Sequence, residues 1–322
     1  MAVYTEVDAD TTAALLRALD AGTLRSMEGC ASGIENTNYF VHTDRGDWVL
    51  TVFERLGFEQ LPFYLGLMQH LARKGLPVPE PRTDAQGRFL HAIAGKPAAL
   101  VNKLPGASVD HPTLAHCALL GETLARMHDA ALDFPLHQPN LRGIDWWSQA
   151  VALVDPHVPA DMVEELDGEL AFQQRFQAEP DVLSLPKGPV HADLFRDNAL
   201  FDGPSAAPRL SGVFDFYFAG VDHHVYDLAV CVNDWCIDLD TGRLDAARAQ
   251  ALVAAYHAAR PMSRAEQHAL PAMRRAAALR FWLSRLTDWY LPREAALLKP
   301  KDPTHFERVL RACTEEPWHA DL

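Results

Sequence analysis

Two short apolar segments, GPV and ALF, bracket the octapeptide HADLFRDN (His191 to Asn198), and about 17 residues beyond Asn198 a third, GVF, delivers Asp215. This arrangement limits the fold more than any other feature of the chain. It predicts PVHADLFRDNALF and LSGVFDF as strands flanking a loop that carries a histidine, two aspartates, an arginine and an asparagine. A loop needs polar residues, but rarely this set. His-x-Asp alone, or an aspartate after an apolar strand alone, is an ordinary turn former. Occurring together, in order and at this spacing, they point to chemistry.

The chemistry that needs such a set is phosphoryl transfer. One carboxylate orients the acceptor hydroxyl, an asparagine a few residues on holds metal on nucleotide phosphates, and a second carboxylate chelates Mg2+ from a neighbouring strand. His191-x-Asp193-x-x-x-x-Asn198 has the spacing of the H-R-D-x-x-x-x-N loop, and Asp215 stands where a metal-binding D-F-G aspartate would follow. His191 is expected to brace the loop by hydrogen bonds rather than to transfer protons. Asp197 is expected to be a solvated or loop-bracing carboxylate.

The chain of 322 residues suggests two packed lobes. The first part reads as strand-rich, with a short amphipathic helix in VDADTTAALLRAL, a strand near Leu24 and a hairpin of Tyr39–Val41 with Trp48–Phe53 around the turn HTDRGD. A helix in FYLGLMQHLARKG ends at Gly75, LPVPEP is extended, and GRFLHAIAGKPAALVNKLPG gives one or two strands before a break at Pro105–Gly106. Beyond it, TLAHCALLGETLARMHDA, DMVEELDGELAFQQRF, DHHVYDLAVCVNDWC, DAARAQALVAAYHAA and RAEQHALPAMRRAAALRFWLSRLTDWY have helical periodicity. The last of these, with its many aromatics, reads as core.

A formal net charge of −14 disfavours nucleic acid and anionic membrane as partners, since both require basic surface. Five cysteines without a CxxC pair suggest neither a zinc ribbon nor a disulfide framework. With no leader-like start and no run of about 18 apolar residues, the expectation is a cytoplasmic protein without a membrane span.

HADLFRDN with VFDFYFAG resembles the aminoglycoside-phosphotransferase-like branch of the kinase fold, whose members carry an H-G-D-x-x-x-x-N loop. More narrowly, GIENTNYFV, WVLTVFE, LARKGLPVPEP, HADLFRDNALF, GVFDFYFAG and DLAVCVNDWC resemble the bacterial homoserine kinases, in order and over nearly the whole chain. The resemblance implies an α+β, two-lobed protein-kinase-like fold. Residues 1–104 would form a small antiparallel-sheet lobe for nucleotide, and residues 105–322 a larger, mainly helical lobe for catalysis and substrate. It implies ATP and Mg2+ as cofactors and L-homoserine as acceptor, in the step before threonine synthase.

Carried over residue by residue, Asp193 takes the catalytic-base position, Asn198 and Asp215 take the Mg2+ positions, and Asp227 takes the structural aspartate position beneath the loop. Ser32, Gly33, Asn36, Thr37 and Asn38 fall on the phosphate loop, and backbone groups near Val101 and Lys103 would meet adenine. Thr51 in WVLTVFE stands where such kinases usually carry a strand lysine or arginine, and Phe63 and Tyr64 where its helix glutamate is expected; the LT pattern is itself typical of the homoserine kinases. Lys103 and Arg196 are the candidate replacement cations. Arg196 is also a candidate partner for the acceptor carboxylate, with Tyr217, Trp235 and Asp234 as pocket walls. Two other readings stay open on the residues alone: a kinase of the same fold for an aminoglycoside, choline or sugar, and a nucleotide-binding regulator without turnover.

Overall fold

A computed structural model describes residues 4–30, 36–204, 207–292 and 301–322. The chain divides into two compact units. The first comprises Met1–Gly106 and Ser211–Phe214.

In this unit α1 (Ala9–Ala18) starts where the Asp8 side chain accepts the Thr11 N–H at 2.7 Å, satisfying one of the donors that a helix start leaves open. Then follow β1 (Leu24–Gly29), β2 (Thr37–Thr43), β3 (Asp47–Val52), α2 (Leu61–Arg73), β4 (His91–Ile93) and β5 (Lys96–Asn102). The strands form one sheet in the order β1-β2-β3-β5-β4, antiparallel throughout. Register decides what each face carries, because side chains alternate along a strand. Tyr39, Val41, Leu50, Val52, Ala98 and Leu100 share one face and bury Leu15, Leu16 and Leu19 of α1. Asn38 opposite Thr51, Thr51 opposite Ala99, and Val49 opposite Val101 put the polar pair Asn38 and Thr51 on the other face with Val101.

The second unit comprises Ala107–Leu210 and Asp215–Leu322. It opens with α3 (Leu114–Ala131), α4 (Ile144–Val154), α5 (Ala160–Gln177) and the one-turn α6 (Pro180–Leu183). Next come β6 (Lys187–Val190), β7 (Ala199–Asp202), β8 (Arg209–Val213, its last three residues counted with the first unit) and β9 (Gly220–His223), then α7 (His224–Trp235), α8 (Ala246–Ala259), α9 (Arg264–Tyr290) and α10 (Thr304–Glu315). β6 and β9 pair antiparallel, Val190 opposite Gly220. α9 begins with a reciprocal cap between Ser263 and Glu266 and buries Leu270, Met273, Trp282 and Leu283.

The α+β expectation holds, with a small antiparallel sheet in one unit and a mainly helical second unit. Three details differ. α4 and α10 were not read from the sequence, because GIDWWSQAVALV and THFERVLRACTE are short and lie between proline-rich stretches. The helix expected from Asp222 starts only at His224, since Gly220–His223 is consumed by pairing with β6. Among the described residues, no helix is long and apolar enough to cross a membrane.

The helices α3 and α8 meet backbone to backbone at Gly121, where a Cβ would stand 2.1 Å from the Leu252 carbonyl oxygen and 3.0 Å from its carbon. Backbone cannot yield as a flexible side chain can, so Gly121→Ala must separate the two helices. A loss of about 1–3 kcal/mol is expected in urea unfolding. An unchanged unfolding midpoint would show that the contact is looser than this geometry requires.

Candidate active site

The HADLFRDN loop leaves β6 and is held from below by α7. Asp227, fully buried in the first turn of α7, accepts the His191 N–H with Oδ2 at 2.8 Å and the Ala192 N–H with Oδ1 at 2.7 Å. His128 Nε2 on α3 lies 3.0 Å from the same carboxylate, and His128 Nδ1 lies 2.7 Å from the Tyr256 hydroxyl on α8. Burial pushes Asp227 upward, but hydrogen bonds and charge from His128, with help from His191, leave it below its ordinary value. It is therefore a carboxylate, fit to bind two amides.

Two turns along α7 the same face grips the loop again, since positions seven and eight apart return to one side of a helix. Asp234 Oδ2 accepts the Arg196 N–H at 2.8 Å and Arg196 Nε at 3.1 Å, while Trp235 Nε1 donates to the Leu194 carbonyl at 3.0 Å. Within the loop, His191 Nδ1 accepts the Asp193 N–H at 3.3 Å, and Asn198 Nδ2 donates to the Asp193 carbonyl at 2.8 Å and to its Oδ2 at 3.4 Å. His191 is buried, with its ring 4.5 Å from that of Phe216.

Two residues of the site hold a left-handed backbone, Ala192 at φ 62° and Asp215 at φ 65°. An aspartate tolerates this conformation, whereas an alanine there is strained by about 1–2 kcal/mol. The glycine of the H-G-D pattern would carry no such strain. The Ala192 amide nevertheless meets Asp227.

The half-buried Asp193 carboxyl is pushed up to about 8 by burial, opposed chiefly by the Arg280 guanidinium and reinforced by Asp215 and Asp197. Tyr217, also half-buried, has its hydroxyl pushed up by burial and by Asp215. Among the described residues, no three or more His, Cys, Asp or Glu side chains group as a metal cage. Mg2+ takes one or two protein oxygens and completes its shell from phosphates and water. Asn198 spends its Nδ2 on Asp193, so its Oδ1 is the atom suited to a hard cation, and Asp215 supplies the carboxylate type that such an ion prefers.

In the first unit, Thr51 Oγ1 donates to Asn38 Oδ1 at 2.7 Å, and the Lys103 ammonium sits 4.5 Å from the centre of the Phe40 ring. Val101 is buried in β5 opposite Val49, and Asn36 Oδ1 accepts the Glu54 N–H at 3.4 Å. Ser32 and Gly33 lie outside the described residues. The Thr37 side chain turns to the α1 face, donates to Glu54 at 2.6 Å and accepts the Tyr4 and Thr5 amides. Anything this position gives a nucleotide must therefore come from its backbone. Lys96 pairs with Glu54 beside Thr37 and Thr5, on the face away from Thr51.

Two expectations for the acceptor pocket need correction. Trp235 is fully buried beneath the loop and spends its one donor on Leu194, so it is a brace and not a wall. Arg196 is committed to Asp234 and to the Asp110 carbonyl at 2.9 Å, which leaves it a poor candidate for a substrate carboxylate or for nucleotide phosphates. A cleft of about 670 Å³ beside Arg196 is lined by Asp110, Asp238 and Arg248 but by neither Asp193 nor Asp215, so it is not where the loop chemistry converges. Sequence reading also missed His128, Tyr226 and Arg280. The available signal was a histidine or arginine at the buried phase of a helix, as in LARMHDA and AAALRFW.

Comparison with known proteins gives this geometry a lineage. The sequence pattern of the phosphotransferase enzyme family matches residues 26–265. The chain is 56% identical over 318 residues to a homoserine kinase of Polaromonas naphthalenivorans, covering 99% of both chains. It is 53% identical over 315 residues to a homoserine kinase of Cupriavidus pinatubonensis, covering 97% of this chain and 96% of that one. Solved structures with the same fold include the amicoumacin kinase hAmiN, with TM-score 0.68 and 15% identity over 97% of this chain and 94% of that one. A choline/ethanolamine kinase family protein of Mesorhizobium loti has TM-score 0.64 and 20% identity over 96% and 95%. The chain has the protein-kinase-like fold of these enzymes and belongs to the phosphotransferase enzyme family, among relatives that are bacterial homoserine kinases.

Proposed function

We propose that the protein transfers the terminal phosphoryl group of ATP to the side-chain hydroxyl of L-homoserine, giving O-phospho-L-homoserine and ADP. The observation that carries this reading is identity above half, over nearly the full length, to enzymes of that name. The setting of Asp193 supports it.

In this reading the acceptor hydroxyl lies against Asp193. As its oxygen forms a bond to the terminal phosphorus and the bond from that phosphorus to the bridging oxygen of ATP breaks, the hydroxyl proton passes to the Asp193 carboxylate and ADP leaves. A base works best with a pKa near the operating pH, and Asp193, pushed up to about 8, meets that condition. Asn198 and Asp215 would hold Mg2+, which supplies charge neutralisation at the phosphates. Arg280 keeps a positive charge near Asp193, and the α7 grips fix the loop before substrate arrives.

The nucleotide is assigned to residues 1–104: the 32–38 segment for phosphates, Asn38 and Thr51 as polar contacts, and backbone near Val101 and Lys103 for adenine. Thr51 carries no charge and is already hydrogen-bonded to Asn38, so charge for the phosphates must come from Mg2+ and from backbone N–H groups. We place the enzyme in the cytoplasm, in threonine biosynthesis, without nucleic-acid or membrane partners.

With Mg-ATP and a panel of L-homoserine, L-serine, L-threonine, choline and kanamycin, phosphorus NMR should show O-phospho-L-homoserine as the main product. Preference for choline or kanamycin would overturn the acceptor while leaving the fold in place, and ATP binding without any product would favour a regulator. Asp193→Asn should lower kcat by about 10²-fold or more with little change in the KM for ATP. Asp215→Ala should lose both turnover and Mg-dependent ATP binding. Normal Mg-ATP affinity in Asp215→Ala would move the metal role to another residue.

A further inference from the structure

Arg280 lies in the middle of α9 and is buried, with 3% exposure. The faces of its guanidinium are covered, 3.8 Å from the centre of the Phe281 ring and 4.9 Å from that of Phe218. Its edge is not covered. Nε and Nη2 are buried and have no hydrogen-bond partner among the described residues.

That edge has a known use in this chain. Nε and Nη2 together grip a carboxylate at Arg209 with Asp202, at Arg275 with Glu169 and at Arg311 with Glu165. The other buried arginine of α9, Arg274, is satisfied through Asn233 Oδ1 at 3.0 Å. Of these five arginines, Arg280 alone leaves both atoms of that edge buried without a hydrogen-bond partner among the described residues. A buried charge of this kind is costly unless an anion completes it.

The position of the edge suggests which anion. Arg280 is the strongest favourable charge on Asp193 yet forms no ion pair with it within 4.0 Å. The Tyr226 hydroxyl is likewise buried without a partner among the described residues, and its proton responds to both Arg280 and Asp193. Homoserine carries a hydroxyl for Asp193 and an anion for Arg280 on one short chain. In extended homoserine the hydroxyl and carboxyl carbon are on the order of 5 Å apart.

We propose that Arg280 binds the α-carboxylate of the acceptor amino acid through Nε and Nη2, and so selects an amino acid over an alcohol without a carboxylate. This rests on the reading of the acceptor as L-homoserine. The planar fork of arginine matches two carboxylate oxygens, which a lysine cannot reproduce.

The test uses Arg280→Met, which keeps an apolar stem against Phe218 and Phe281, and Arg280→Lys, which keeps the charge. Steady-state kinetics with L-homoserine and with 3-aminopropan-1-ol, which lacks only the carboxylate, are combined with thermal melting with and without L-homoserine. Arg280→Met should lower the kcat/KM preference for L-homoserine over 3-aminopropan-1-ol by about 10²-fold, through a raised KM for L-homoserine, and leave the KM for ATP within about threefold. The unliganded variant should melt at or above the wild-type temperature, because an uncompensated charge has been removed, and the stabilisation by L-homoserine should vanish. Arg280→Lys should fall between the two. Equal losses on both acceptors, a raised KM for ATP, or a much lower melting temperature would overturn the assignment. If wild type fails to phosphorylate L-homoserine, the functional reading falls and this one with it; if wild type succeeds and Arg280→Met keeps its KM, this one falls alone.

Discussion

One buried carboxylate, Asp227, fixes the geometry on which everything else at the site depends. Its two oxygens take consecutive amides of the loop, at His191 and Ala192, and the third contact, from His128, connects it to Tyr256. Paired amides on one carboxylate define both the position and the direction of the backbone that presents Asp193 one residue later. The strained left-handed conformation of Ala192 persists because this pair over-determines it. His224, stacked 4.5 Å from His128 and pushed down to about 2 by burial and neighbouring cations, is a neutral ring in this layer and adds no competing charge.

The second grip, from Asp234 and Trp235, lies two turns further along α7, so a single rigid helix sets both ends of the loop. The loop side chains are left to the proposed chemistry: burial raises the Asp193 carboxyl, and Asn198 is oriented by Asp193 itself. Catalytic groups held by backbone hydrogen bonds to a helix lose little entropy when substrate binds.

The loop and Asp215 were legible because their signal is local: spacing within eight residues, and an apolar strand ending in a carboxylate. The hairpin and most helices were legible for the same reason, since alternation and helical periodicity are properties of short windows. What escaped depends on partners distant in sequence. Trp235 reads as a pocket aromatic until its indole is seen beneath Leu194, 41 residues away. Arg196 reads as a free cation until Asp234 claims it. Arg280 sits in a run so apolar that the helix reads as core, and it is core, with one charge inside it. Thr37 reads as a loop residue, but strand register turns it to the α1 face.

Asp227, as a carboxylate, holds the HADLFRDN loop, and urea unfolding of wild type and Asp227→Asn across pH, with amide exchange at His191 and Ala192, measures this hold. Because its value in the folded chain lies below the ordinary aspartate value of 3.8, its contribution is fully present above that pH and is lost as pH falls through the lower folded value. Asp227→Asn should be less stable by about 3–5 kcal/mol near neutral pH, the difference should shrink below about pH 4, and both amides should exchange faster. A difference under about 1 kcal/mol, or one independent of pH with both amides still protected, would contradict it.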